Sequence, residues 1–510
     1  MNRFQRNIFF AGCNLLLLAA CSRYPAGIEE TLRFAGDNRA ELEKVLAHYG
    51  REGSDSLKYR AACFLIEHMR YHYARNNSCL DSFRVFLRDV VPTERTYTQF
   101  VDRFGEINQE NYQITYDAQV ITADYLIRNI DFSFRLWEAA PWGKHIGFED
   151  FCEEILPYRV GNEPIEDWKE AYHRKYQYML DTAEYDRSSS LAACRVIFRY
   201  LHSKTEKDLL EWVFAYDWNV SNLGAVSLLT LRYGTCQEQT DMLTYVMRSV
   251  GIPTGIDMMV QHPDNLDKQH WWNYMRDTSG VNIAFDYYYE MEEPAPKMTP
   301  IHKCGIVYRK CFSLPDESFP VRYRGKDLYR PSSLSDPFLK NVSAEYFDEN
   351  PVTLPVGKEY REGDVLYLNV FNNSQWVAMG WSEVKNGEIV FRHLEPGVLY
   401  LLADYPDKAT IRPLSSPFIP LKDGTVFRAA ADTANRQEMT LHRKFRLPWW
   451  WEEFHVNSAG GKFQGANRPD FSDAVTLHTI PGPAVMRWED VYPTRIRATR
   501  HAPLCSTAIP

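Results

Sequence analysis

One stretch near the middle of the chain constrains the fold more than any other. It covers residues 232–253 and reads RYGTCQEQTDMLTYVMRSVGIP. Its apolar side chains recur at helical spacing, at Leu243, Val246, Met247 and Val250. Gly251 and Pro253 supply a stop signal, so the pattern predicts an amphipathic helix with Cys236 in its first turn. Unpaired N–H groups and the helix dipole at that end favour the reactive thiolate, although a lone cysteine also suits a buried packing role.

The size and charge of the chain bound its class. Its 510 residues, of which 45% are hydrophobic and 14% aromatic, can bury more than one core and predict about three domains. The formal net charge is −9, from 58 basic and 67 acidic residues. This balance argues against a general nucleic-acid binder, and we expect no nucleic-acid partner.

The N-terminus reads as an export signal covering residues 1–20. Arg3 and Arg6 precede an apolar stretch at 8–20, which is too short to span a bilayer. The ending Leu-Ala-Ala-Cys resembles a bacterial lipobox, which implies cleavage before Cys21 and lipidation of its thiol. We therefore expect an exported lipoprotein of the outer membrane, on its periplasmic or surface face, held to the membrane through Cys21. The alternative is an ordinary signal peptide with Cys21 unmodified.

The remaining sequence predicts a multidomain α+β protein. Helical periodicity dominates first, short aromatic-rich runs follow, and the C-terminal half has the composition of strands. The predicted parts are a helical domain at 21–205, an α+β core at 206–312, a linker at 313–345, a β-sandwich at 346–447 and a terminal segment at 448–510. The ten cysteines include no CxxC pair, which argues against a zinc ribbon, and leave open whether Cys304 pairs with Cys311.

Within the core, two strand-like runs at 270–275 and 281–287 flank the turn signal Asp-Thr-Ser-Gly and predict an antiparallel hairpin. A loop in which Gly280 is a bulge residue places His270 opposite Asp286, and opposed residues share a face. A two-residue loop would put them on opposite faces. A thiol acyl-transfer enzyme needs an imidazole base and a group that orients it, and these two residues supply both types.

Together these features resemble the core of the transglutaminase-like superfamily, a rearranged papain-type thiol fold. The resemblance rests on Gly-Thr-Cys at a helix start, the Gly-Ile-Pro ending, a strand with His-Trp and a strand ending in Asp. It implies that Cys236 is the nucleophile, His270 the general base and acid, and Asp286 the orienting carboxylate. It also implies a side-chain oxyanion donor upstream, for which Trp218 is the nearest candidate.

Other features limit what the resemblance implies. The calcium-dependent cross-linking members have β-domains on both sides of the core, whereas the region before it here is helical, and no EF-hand-like loop occurs. A metal site built from His262, His270 and Asp286 has no supporting motif spacing, so we expect neither metal nor cofactor. Residues 460–474 resemble the opening of discoidin-type, galactose-binding-like domains, but too few residues follow for a whole domain, which predicts at most a truncated one.

Two functions are consistent with the sequence. The first is a lipid-anchored thiol amidase or peptidase that forms a thioester acyl-enzyme and acts on a peptide, glycopeptide or cell-wall substrate, with cross-linking acyl transfer as a variant. The second is a non-catalytic surface lipoprotein that binds glycan or protein and keeps the core as a scaffold. The aromatic-rich C-terminal half motivates the second function.

Overall fold

A computed structural model describes most of the chain. The described residues are 24–51, 56–203, 211–215, 223–263, 269–372, 375–429, 434, 461–466, 468 and 472–480, together with the backbone of 506–508. They contain both helices and strands in quantity, which confirms the mixed α+β class. Among them, no helix combines the length and the apolar composition needed to cross a bilayer.

The chain forms two compact units. One is Met1–Thr254 with Thr278–Gly280, and the other is Gly255–Asp277 with Val281–Pro510. The predicted core at 206–312 falls on both sides of this division. The predicted domain boundaries therefore stay predictions.

The first unit is mainly helical. Its α-helices, in chain order, are α1 (Ala26–Phe34), α2 (Arg39–Gly50), α3 (Leu57–Met69), α4 (Ser78–Asp89), α5 (Thr96–Phe104), α6 (Ala123–Ala139), α7 (Phe148–Glu154), α8 (Lys169–Thr182), α9 (Ser190–Leu201), α10 (Ala225–Leu228) and α11 (Cys236–Ser249). Five of them follow a side chain that accepts a backbone N–H of the first turn, at Ser56, Asn77, Thr122, Ser189 and Thr235. Such caps satisfy donors that the helix itself leaves unpaired.

The sequence predicts a helical domain at 21–205, but this region also contains two strands. Strands β1 (Tyr73–Asn76) and β2 (Gln113–Tyr116) pair antiparallel, with Tyr73 opposite Tyr116. Both strands are too short to show a clear alternating pattern in the sequence, so helical periodicity on either side of them dominated the prediction.

The second unit is built on a five-stranded sheet with the order β7-β6-β5-β8-β9. Its strands are β5 (Thr254–Met259), β6 (His270–Arg276), β7 (Asn282–Phe285), β8 (Tyr308–Lys310) and β9 (Leu339–Asn341). The first residue of β5, Thr254, closes the first unit. Strand β9 lies inside the predicted 313–345 linker, where its three residues are too short for a periodic signal.

The predicted hairpin between β6 and β7 is confirmed. The Asp277 N–H donates to the Val281 carbonyl, the Asp277 carboxylate accepts the Val281 N–H, and Gly280 has a φ of 86°. Asn273 lies opposite Phe285. This register is offset by two residues from the predicted one, so Trp272 rather than His270 is opposite Asp286. An even offset keeps His270 and Asp286 on one face.

Alternate residues of the five-stranded sheet enter two different cores. One core contains Met259, Trp272, Tyr274 and Val307, together with Tyr346 from the short helix α13 (Ser343–Tyr346). The other contains Met258, Val260, Ile306 and Tyr308, packed with residues of the β-rich region that follows. Both faces of the sheet are therefore covered, which fixes the register of every strand in it.

The β-rich region contains a six-stranded and a two-stranded sheet. The larger has the order β12-β11-β14-β16-β17, with β15 beside β14, and the smaller pairs β10 with β13. The strands are β10 (Val352–Pro355), β11 (Val365–Asn372), β12 (Gln375–Glu383), β13 (Glu388–Phe391), β14 (Tyr400–Asp404), β15 (Arg412–Pro413), β16 (Phe418–Pro420) and β17 (Val426–Arg428). A short helix, α12 (Phe319–Arg322), precedes them.

The turn signal Asn386-Gly387 predicts a hairpin that joins a strand at 376–384 to one at 389–391, and this strand pairing is wrong. The tight turn forms, with φ values of 54° and 74° at these two residues, but only Lys385 and Glu388 bridge across it. Beyond the turn, β12 pairs with β11 and β13 pairs with β10. Burial of Ile389 in the shared core accompanies this separation of the two strands.

The terminal segment contributes a small antiparallel sheet of β18 (Lys462–Gly465), β19 (Val475–Thr479) and β20 (Ser506–Ala508). The tryptophans at 449–451 lie outside the described residues, and the truncated galactose-binding-like domain stays a prediction. None of the cysteines in the described part of the chain is in a disulfide, so Cys304 and Cys311 are not joined.

The packing of the five-stranded sheet against the β-rich region gives a testable prediction. Tyr308 donates its hydroxyl to the Met379 carbonyl at 2.8 Å, and a Cβ at Gly380 would lie 2.5 Å from Ile306 Cδ1. We expect Gly380→Ala to lower the free energy of unfolding by about 1–3 kcal/mol, because overpacking forces neighbours to move. Urea unfolding followed by tryptophan fluorescence measures the change.

The matched control is Gly50→Ala at the end of α2, where a Cβ would lie 3.6 Å from Tyr59. That contact is ordinary, and alanine is the better helix residue, so stability should stay equal or rise slightly. Equal stability of Gly380→Ala and the wild type would show that the two layers do not pack as tightly as described.

Candidate active site

The local structure around Cys236 begins with a short strand. Strand β4 (Tyr233–Gly234) pairs in parallel with β3 (Val213–Phe214), and Thr235 then caps α11. The Thr235 hydroxyl accepts the Gln237 N–H, and the Glu238 carboxylate accepts the Thr235 N–H at 2.9 Å. This reciprocal capping box satisfies first-turn donors and fixes the direction in which the helix begins.

Gly234 is required by the same arrangement. Its φ is 148°, and a Cβ there would lie 2.5 Å from the Cβ of Glu238. The Trp212 indole N–H donates to the Gly234 carbonyl at 3.1 Å. In Gly-Thr-Cys, glycine therefore admits the capping glutamate, threonine caps the helix, and cysteine is its first residue.

Helix α11 is buried from Glu238 to Ser249, so its position is fixed on all sides. The Tyr245 ring packs edge-on against Trp168 at 4.8 Å, and Arg248 donates to the carbonyls of Thr254 and Glu153. Cys236 itself is only half-buried. The thiol consequently belongs to a half-buried residue at the N-terminal end of a rigid helix.

The packing around α11 does not explain why the polar side chain of Gln239, one turn after Cys236, is buried. This side chain is 1% exposed, and among the described residues neither its amide nitrogen nor its amide oxygen has a hydrogen-bond partner. A buried polar group without a partner costs about 1–3 kcal/mol. The sequence gives no sign of this, because a glutamine in a helix ordinarily faces solvent.

The second unit holds His270 and Asp286. His270 is the first residue of β6, and Asp286 directly follows β7. The Asp286 carboxylate accepts the N–H groups of Tyr288 and Tyr289 at 2.7 and 2.9 Å. These bonds fix the carboxylate in a turn, with one of its oxygens within 4.8 Å of a His270 ring nitrogen.

The electrostatic surroundings of the two groups differ from those in water. Burial lowers the pKa of His270 to about 3, helped by the neighbouring His302 and His262. Burial raises the pKa of Asp286, and the two backbone N–H groups and His302 partly offset that rise. The His270 imidazole is therefore neutral at pH 7, which is the form that accepts a proton.

His302 is the residue that sequence reasoning missed. Its ring meets the His270 ring at 4.4 Å between centroids and an interplanar angle of 83°. It lies in an irregular segment 16 residues after Asp286, and no motif marks it. His262, which the sequence considered, is further away, with its ring centroid 6.1 Å from that of His270.

The three predicted catalytic residues belong to different units: Cys236 to the first, and His270 and Asp286 to the second. That they act as one triad stays a prediction. Trp218, the oxyanion candidate, and Cys21, the lipidation site, both lie outside the described residues.

Comparison with known proteins gives one informative relative. No protein-family model matches the chain. Over 272 residues it is 25% identical to human protein-glutamine gamma-glutamyltransferase Z, a match that covers 49% of this chain and 33% of that protein. The chain thus spans about a third of the length of this relative.

A solved structure is also similar in part. It is the periplasmic domain of TgpA from Pseudomonas aeruginosa, crystallised with ethylmercury. The identity is 12%, the similarity covers 30% of this chain and 50% of that chain, and the TM-score is 0.20. A TM-score this low does not establish a common fold.

Gln239 gives a prediction about stability. In Gln239→Met a side chain of similar length replaces the buried amide, and we expect the free energy of unfolding to rise by about 1–3 kcal/mol because the penalty is removed. Chemical denaturation measures it, with Gln237→Met on the half-buried side of the same turn as control. A loss of stability in Gln239→Met alone would show that the amide has a partner.

His270 gives a prediction about pH. With ¹³C-labelled histidine, the His270 NMR resonance, assigned by its absence in His270→Gln, should stay at its neutral position from pH 8 to pH 5. The ordinary pKa of a histidine is about 6.5, and burial lowers the pKa of His270 to about 3 in the folded protein. The contribution of His270 to stability is therefore fully present above pH 6.5 and is lost progressively as the pH falls toward 3. His262, His302 and Asp286 face the ring. A charged imidazole at pH 7 would contradict the prediction.

Proposed function

We propose, from the premise that this chain belongs to the transglutaminase-like superfamily, that it is a thiol hydrolase that cleaves an amide through Cys236. The observation that carries the proposal is the position of this thiol. Cys236 is the half-buried first residue of a capped helix that is otherwise enclosed. Helix N-termini favour thiolate over thiol, and a rigid support lowers the cost of orienting the nucleophile.

The proposed reaction uses three groups. The neutral His270 imidazole takes the thiol proton, the thiolate attacks the amide carbonyl, and the imidazolium returns the proton to the leaving amine. Water, deprotonated by the same imidazole, then hydrolyses the thioester. Asp286 stabilises the imidazolium, which requires that the carboxylate and the ring approach more closely during the reaction than in the structure described here.

The oxyanion of the tetrahedral intermediate needs donors. The backbone N–H of Cys236, the first residue of α11, is the proposed backbone donor, because helix N-termini present N–H groups that have no intrahelical acceptor. Trp218 is retained as the proposed side-chain donor. Removing one such donor from a thiol or serine enzyme typically lowers kcat by about 10²–10³-fold.

The proposed setting is outside the cytoplasm. The N-terminal signal and Cys21 support an exported lipoprotein of the outer membrane, and a peptide, glycopeptide or cell-wall amide is the proposed substrate. The human relative is named as a gamma-glutamyltransferase, so transfer of the acyl group to an amine is the alternative fate of the thioester.

A specific feature of the second unit favours the alternative binding function. A cavity of about 370 Å³ lies between the five-stranded sheet and the β-rich region, lined by Phe319, Trp381, Arg392 and Asp336 among others. This volume lies within the range of small-ligand pockets, and aromatic and charged walls suit a glycan or peptide. The experiment below separates a thiol enzyme from a binding protein that lacks this activity.

The test compares thiol reactivity at two half-buried cysteines. At pH 6, we expect an iodoacetamide-type probe to label Cys236 at least tenfold faster than Cys79, because burial raises the pKa of the Cys79 thiol. Peptide mass spectrometry on the full chain measures the two rates. Amidase activity should disappear in Cys236→Ala and persist in the control variant Cys79→Ala. Equal labelling rates, or unchanged activity in Cys236→Ala, would refute the proposal and leave the binding function.

A further inference from the structure

Three side chains of the second unit converge without being hydrogen-bonded to one another. His270, Asp286 and His302 each offer one ligand atom, and these atoms all lie within 4.8 Å of one another. Two imidazole nitrogens and a carboxylate oxygen are donors that transition metals bind in proteins. The sequence considered His262 in such a set, and the structure instead brings His302 to His270 and Asp286.

The surrounding structure holds each of the three in place. His270 is fixed as the first residue of β6, and Asp286 is fixed by the N–H groups of Tyr288 and Tyr289. The backbone carbonyl of His302 accepts the Cys304 thiol, and the Cys304 N–H in turn donates to Glu395 at 2.6 Å. The three ligand atoms therefore come from three separately anchored segments.

A purely structural role does not account for this cluster. His270 Nε2 is shielded from solvent and has no hydrogen-bond partner in the described part of the chain, although a carboxylate lies within 4.8 Å of a ring nitrogen. Leaving such a nitrogen unsatisfied costs about 1–3 kcal/mol, and because it is shielded from solvent, bulk water cannot supply the missing hydrogen bond. A bound cation would supply the missing partner for the His270 imidazole and a counter-charge for the Asp286 carboxylate.

We propose that His270, Asp286 and His302 form a binding site for a divalent transition metal, with Zn²⁺ as the best-fitting ion. Two imidazoles disfavour Ca²⁺ and Mg²⁺, which prefer oxygen ligands. Zinc bonds of about 2.0–2.1 Å in a tetrahedron separate the ligand atoms by about 3.3 Å, so the side chains would close by about 1–1.5 Å on binding. Three protein ligands leave a fourth position open, the arrangement of zinc sites that accept water or another small ligand.

Metal binding would have a direct consequence for the proposed activity. A coordinated imidazole has given its lone pair to the metal and cannot take a proton from a thiol. Zn²⁺ would therefore switch off the hydrolase, and a chelator would restore it. Only this consequence depends on the proposed function; the site itself does not.

The test measures metal binding directly on the full chain. After removal of metals with a chelator, isothermal titration with Zn²⁺ should show one site per chain that His302→Gln and Asp286→Asn each weaken at least tenfold. Co²⁺ should give the visible absorption bands of a site with nitrogen ligands, and both variants should reduce them. His145→Gln, which removes an exposed histidine of the first unit, is the matched control and should bind as the wild type does.

Two further measurements keep the proposal falsifiable if a variant does not fold. In the wild type, Zn²⁺ should protect the half-buried His302 from diethylpyrocarbonate, as read by peptide mass spectrometry. Cys236→Ala should bind Zn²⁺ as tightly as the wild type. Absence of protection, equal affinity in His302→Gln and the wild type, or loss of binding in Cys236→Ala would each overturn the proposed ligand set.

The outcomes for the site and for the thiol enzyme are separable. Zn²⁺ binding that depends on His302 in a chain whose Cys236 is unreactive would support the metal site and refute the hydrolase. A reactive Cys236 in a chain that binds no Zn²⁺ would support the hydrolase and refute the metal site.

Discussion

The second unit depends on burial of both faces of its five-stranded sheet. Met258 and Met259 are neighbours in β5, yet they enter opposite cores, so a slip of one residue would exchange every buried side chain for one of the wrong face. The same alternation places His270 and Asp286 on a common face. The geometry of the candidate site is therefore a consequence of how the sheet packs.

Buried polar groups of the second unit differ in whether their hydrogen bonds are satisfied. Arg309 bonds both oxygens of the buried Asp257 carboxylate at 2.8 and 2.9 Å, and Tyr346 donates to that same carboxylate. That network satisfies its members, as a structural ion pair must. His270 Nε2 of the same unit, in contrast, has no hydrogen-bond partner among the residues that the structure describes. A buried polar group that remains unsatisfied is a candidate for binding a ligand or moving a proton.

Much of this could be predicted from the sequence, because strong local signals coincided with the final structure. The Gly-Thr-Cys start of α11 and the turn at Asp277–Gly280 both depend on residues close in sequence. The pairing of β13 with β10 instead of β12 could not be predicted, because the turn at Asn386-Gly387 forms as its residues indicate while the strands beyond it pair with partners distant in sequence. His302 was missed for a similar reason: its approach to His270 is set by the tertiary fold and leaves no spacing pattern.

The proposed thiol chemistry and the proposed metal binding both use the same lone pair, that of the neutral His270 imidazole. Burial keeps His270 uncharged, and an uncharged imidazole can take a proton from a thiol or bind a metal, but cannot do both at once. The His302 ring centroid lies 4.4 Å from that of His270. This second imidazole has no role in the proposed Cys-His-Asp triad, whereas it completes the proposed set of metal ligands. The presence of His302 therefore distinguishes this cluster from a simple acid–base pair. In the proposed site, a bound metal would occupy the same His270 imidazole that the thiol chemistry requires.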